Sequence, residues 1–103
     1  MSKADNYNIY VRIISDVEDI YVGTLSFDSY EEAETFAFAE AIAYYKSLEG
    51  TERVSSYDQC ARVVKEVYRL IGLNEPTKDD IDNYFATVIS NSIVYRAEKV
   101  RLN

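Results

Sequence analysis

Apolar and polar positions change their spacing several times along this chain, and each change marks an element. From Tyr7 to Ser15, Tyr7, Ile9, Val11 and Ile13 alternate with Asn8, Tyr10, Arg12 and Ile14. A two-residue period rich in β-branched and aromatic side chains predicts a strand. Residues 16–19 form a polar loop of hairpin length. A second strand is predicted over 20–27, with Ile20, Val22 and Thr24 alternating against Tyr21, Gly23 and Leu25. Gly23 suggests a bulge or a close crossing by a helix.

At Asp28 the period switches to that of a helix, which runs to Gly50 and organises the rest of the chain. Ser29 with Glu32 makes a capping box, and Asp28 with Glu31 offers the same pairing one residue earlier. Glu31, Glu32 and Glu34 suit the positive end of the helix dipole, Lys46 suits the negative end, and Gly50 can end the helix in a left-handed conformation. Tyr30, Ala33, Ala37, Ala41, Tyr44 and Leu48 fall on one stripe, widened by Phe38, Ile42 and Tyr45. The central alanines permit a close backbone approach. Glu34 interrupts the apolar arc and Phe36 the polar one; Phe36 is expected either to tuck under the next helix or to meet a partner.

Residues 51–54 read as a connector. A second helix starts at Ser55 or Ser56, with Gln59 completing a box from Ser56, and Gly72 and Leu73 end it as a Schellman motif. Its predicted buried face is Tyr57, Cys60, Ala61, Val64, Val67, Tyr68 and Ile71. Thr77 caps a third helix with Asp79, Asp80 and Asp82 in its first turn and Ile81, Tyr84, Phe85, Val88 and Ile89 inward. Ser90, Asn91 and Ser92 are expected to end it. Residues 93–102 show strand parity at Val94, Val100 and Leu102 and read as a third strand added to the hairpin; a continued helix is the competing reading.

The order ββαααβ implies an α+β domain: a small antiparallel sheet with three helices packed on one face, over residues 7–103, after a polar tail, 1–6. The opposite face would then expose some of Tyr10, Arg12, Ile14 and Tyr21, a candidate oligomer or partner interface.

Composition narrows the chemistry. The chain has 103 residues, 48% of them hydrophobic, enough for one real core. No apolar run approaches the ~18 residues that span a bilayer. The start, MSKADNYN, lacks a secretory signal's apolar segment, and the single cysteine allows no internal disulfide, so a cytoplasmic protein is expected. There is no histidine, which removes the commonest general base and metal ligand. Cys60 falls on an apolar helix face, as a buried structural thiol would. The glycines Gly23, Gly50 and Gly72 are too scattered for a phosphate loop. Neither carboxylate trio, Asp16, Glu18 and Asp19 or Asp79, Asp80 and Asp82, has calcium-loop spacing. No enzyme activity, cofactor or metal is expected.

Net charge is −7, and all of the excess lies in residues 1–50, where 10 acidic side chains face 3 basic ones. An acidic chain lacks the field that holds phosphates, which disfavours nucleic acid as a partner. Ten tyrosines supply rigid contact area with polar tips. These features point to a non-enzymatic protein-binding module, with Asp16, Glu18, Asp19, Asp28, Glu31 and Glu32 as its acidic contacts and Tyr10, Tyr21 and Phe36 as its aromatic ones. A homodimer is also expected, since a small sheet has open edges. In size and composition the chain is similar to small accessory proteins of phages and mobile elements; that likeness implies an inhibitor of a host defence protein, acting by imitating nucleic-acid charge. The alternative is a nucleic-acid- or nucleotide-binding regulator using Arg62, Lys65 and Arg69 with the C-terminal cations, although Asp58 and Glu66 interleave with them.

Overall fold

A computed structural model describes residues 4–101. It is an α+β fold in the order β1 (Asp5–Ile13), β2 (Ile20–Phe27), α1 (Tyr30–Ser47), α2 (Tyr57–Leu70), α3 (Lys78–Ser92) and β3 (Ile93–Lys99). The sheet is antiparallel with strand order β2-β1-β3. β1 starts earlier than its alternation suggests: Asp5 and Asn6 pair with Phe27 and Ser26, so part of the expected tail joins the sheet. Residues 1–3 of that tail, and Leu102 of the last expected strand, lie outside the described residues.

Local signals act where they stand. Ser29, Ser56 and Thr77 are the N-caps, and the last two close reciprocal boxes with Gln59 and Asp80. At α1 the return bond differs: the Glu32 carboxylate accepts from the Asp28 N–H at 3.3 Å rather than from Ser29. Gly72, at φ +76°, ends α2 with the Leu73 N–H on the Tyr68 carbonyl (2.9 Å) and its own N–H on Arg69 (3.3 Å).

Two helix faces depart from their patterns at the ends. Residues 90–92 do not break α3; it continues to Ser92, whose hydroxyl donates to the Val88 carbonyl at 2.6 Å. There the burial of Ile89 and Ile93 outweighs weak helix propensity. In α1, Ala33, Ala37 and Ala41 are fully buried and allow the helix to lie close on β1 and β3. Tyr45, on the expected flank, is the deepest ring, its hydroxyl donating to the Ser55 carbonyl at 2.6 Å, while Tyr30 stands mostly in water. Val54, in the supposed connector, is buried and plugs the same core.

The helices do not share the sheet equally. α1 covers its inner face, over Tyr7, Ile9, Val11 and Ile13. α2 packs on α3, and this hairpin meets the rest only at one end, where Cys60, Phe85 and Ile89 join Tyr45, Val54 and Ile13 in one cluster. The molecule is therefore long, 61 × 31 × 17 Å, with a radius of gyration of 17.5 Å, against ~13 Å for a compact chain of this length. α3 runs straight into β3, and its fifteen residues, ~22 Å of helix, lead the hairpin away from the sheet. No helix among the described residues is long and apolar enough to cross a membrane.

Candidate partner-binding surface

Among the described residues, no helix covers the outer face of the sheet. Asn6, Asn8, Tyr10 and Arg12 of β1 point there, opposite the buried set, with Arg96 and Glu98 of β3 alongside. On β2 an extra residue is inserted opposite the Ile9–Tyr10 step, so Tyr21 faces Tyr10 while Gly23 faces Ile9. This bulge overturns the simple alternation read from the sequence, since it puts Tyr21 on the same face as Thr24 and Ser26. The Thr24 and Ser26 hydroxyls donate to the side-chain carbonyls of Asn8 and Asn6, and the Tyr21 hydroxyl bonds Thr24. Tyr10 sits between Tyr21 (5.7 Å between ring centres) and the Arg96 guanidinium, 4.1 Å above its ring. Ile14 is exposed just past the end of β1.

The acidic residues form two groups rather than one. Asp19 accepts from Arg96 at 2.9 Å and lies 3.4 Å from Arg12; Asp16 pairs with Arg53. Asp19 thereby holds Arg96 more firmly protonated than an ordinary guanidinium. Among the described residues, Glu18 alone of the loop trio has no arginine against it. Asp28, Glu31 and Glu32 lie at the other end of β2, whose eight residues put ~26 Å between the groups. There the structure brings expected residues together: Glu31, Glu32 and Phe36 line a groove of about 620 Å³ with Phe27 and Ala39. Phe36 does not tuck under the next helix; it packs on Phe27, ring centres 5.4 Å apart, because α1 begins directly beside the end of β2.

The basic alternative is less concentrated. Arg62, Lys65 and Arg69 line one shallow groove on α2, but Glu66 and Glu75 line it too, and Arg69 is paired with Glu66. Arg96 is committed to Asp19 and Glu98, and Lys99 lies 3.3 Å from Asp5. Cys60 is buried, and that burial pushes its thiol pKa up. Among the described residues no three His, Cys, Asp or Glu side chains stand close enough to share a metal ion.

The feature the residue patterns did not single out is the edge of β2. Among the described residues it has no strand on its outer side, and α1 sits over β1 and β3, leaving Ile20, Val22 and Leu25 38–40% exposed. Its sequence, IYVGTLSF, contains no charge and no proline, whereas the opposite edge, IVYRAEK, carries three charges. Sheet edges are ordinarily guarded by such residues. No protein-family model, curated protein or solved structure matches this chain. Its surface is therefore read on its own chemistry.

Proposed function

We propose that this chain is a non-enzymatic protein-binding module that takes an extended segment of another protein onto the edge of β2. The observation that supports it is the uncharged edge: eight residues without a charge or a proline, with exposed apolar side chains, interrupted by a single bulge at Val22. A bound strand would gain main-chain hydrogen bonds from β2 and side-chain specificity from the two faces. On the inner side it meets Ile20 and Leu25, on the outer side Tyr21, Thr24 and Ser26, with Val22 exposed at the bulge between them. Past Phe27 it reaches the groove of Phe36, Glu31 and Glu32. The matching segment alternates apolar and small polar residues and ends in Lys or Arg.

The acidic half of the chain favours a basic partner through its field. Imitation of nucleic acid draws less support, because Asp16 and Asp19 are neutralised by arginines and stand far from Glu31 and Glu32. The likeness to phage accessory proteins extends the reading to an inhibitor that occupies a host protein's strand-forming segment inside the cell.

A random peptide library displayed on phage tests this directly. Selected peptides are expected to be extended and basic at one end, and to protect the β2 amides from hydrogen exchange. Val22→Lys should abolish binding, and Glu31→Lys with Glu32→Lys should weaken it. Peptides that map instead to the α2 groove, or that bind the Val22→Lys chain equally well, would refute the reading.

A further inference from the structure

The α2–α3 hairpin carries a second unpartnered surface, at the opposite end of the molecule from the groove of Glu31 and Glu32. The face of α2 predicted to be buried is buried only in its first half, at Cys60 and Val64. Beyond that the hairpin has left the sheet behind, and two helices cannot cover each other's apolar sides. Val63, Val67, Leu70, Ile71, Leu73 and Tyr84 remain between 38% and 68% exposed. Val63, Val67 and Leu70 follow i, i+4, i+7 spacing, so they form one stripe down α2. Val63 and Val67, with Val64 and Tyr68, line a shallow groove of about 190 Å³ that Tyr84 and Asp80 of α3 complete.

We propose that a second copy of this chain docks here, with two α2–α3 hairpins closing into a two-fold four-helix bundle. Area and charge both favour a copy over another occupant. Leu73 lines the basic groove on the other side of α2; the remaining five side chains leave on the order of 500 Å² of surface in water, within the range for the largest patch on a monomer. Homodimer interfaces are about 65% apolar, so this patch implies an interface of roughly 800 Å² per protomer, the size of a stable one. The hairpin, residues 57–92, holds 6 acidic and 4 basic side chains, so it carries −2 of the chain's net −7. Joining hairpin to hairpin therefore sets less charge against charge than joining the sheet ends, which hold the rest. It also directs the acidic sheet ends of two 61 Å molecules away from each other, whereas joining the sheets would press them together. Both β2 edges remain open, so the assembly presents two strand-accepting edges at once.

Analytical ultracentrifugation of the full chain is the test. At micromolar concentration it is expected to sediment as a dimer, twice the 11.8 kDa of one chain. Leu70→Lys and Val67→Glu should each weaken association about a hundredfold, from seating an unpaired charge in an apolar interface. Leu70 is exposed enough that its replacement leaves the fold intact, which the far-UV circular dichroism spectrum would verify. Val22→Lys on the β2 edge should leave the dimer unchanged. A chain that stays monomeric at high micromolar concentration overturns the proposal, and so does a dimer that yields to Val22→Lys and ignores Leu70→Lys.

Discussion

Phe85 is the joint between the two halves of this molecule, and truncating it should show how the halves are held. The ring is 9% exposed and makes edge-on contacts with Tyr45 of α1 (6.2 Å, 69°) and Tyr57 of α2 (5.4 Å, 89°). Phe85→Ala removes ~120 Å² of buried apolar surface, worth ~3 kcal/mol at ~25 cal/mol per Å². The two aromatic pairs add at least ~0.5 kcal/mol each beyond that area. The expected loss is thus about 4 kcal/mol, within the usual span for a buried phenylalanine and a large share of the ~5–15 kcal/mol that holds a domain together. Urea unfolding followed by far-UV circular dichroism would measure it. Hydrogen exchange adds the more discriminating readout. The sheet keeps a second cluster of its own, Tyr7, Ile9, Ala33, Ala37 and Ala97, which Phe85 does not touch. Amides of α2 should therefore lose protection well before those of β1. A loss under ~1.5 kcal/mol, or equal loss of protection in α2 and β1, would refute the view that one cluster carries the hairpin.

Other outcomes follow from single sites. Asp82 accepts from Lys78 at 2.7 Å and from the Tyr57 hydroxyl at 2.7 Å, and these partners, Lys78 first, hold its carboxyl below its ordinary 3.8. A lowered folded-state pKa stabilises above the unfolded value and is lost as pH falls through the folded one. Thermal melts should thus weaken in acid below about pH 4, and Asp82→Asn should flatten that dependence. Gly72→Ala should cost about 1 kcal/mol by chemical denaturation, purely from the left-handed backbone, since an added Cβ there meets nothing within 4 Å. Cys60, with its thiol pKa raised by burial, should resist alkylation in the native chain and react at once in denaturant.

Much of this architecture is readable one residue at a time. The caps at Ser29, Ser56 and Thr77, the stop at Gly72, the alternation of Tyr7 to Ile13 and the alanine stripe of α1 all depend on neighbours within four positions. Such interactions have the same geometry wherever the element lands, so pattern and structure agree there. Phe36, Glu31 and Glu32 each read as a surface contact from the sequence, but that they line one groove with Phe27 depends on α1 starting beside the end of β2.

What tertiary structure alone decided is which surfaces stay bare. Val67 and Ile71 read as core because they share a helix face with Cys60 and Val64, and they are exposed because α3 carries the hairpin past the end of the sheet. The string IYVGTLSF shows its lack of charge to any reader, but only the order β2-β1-β3 makes it an edge. Asp16 and Asp19 look like free acids until folding sets Arg53, Arg12 and Arg96 against them. Each of these outcomes depends on residues far apart in the chain meeting in space. Periodicity records which side of an element prefers burial; whether anything arrives to bury it is settled by the packing of the whole chain.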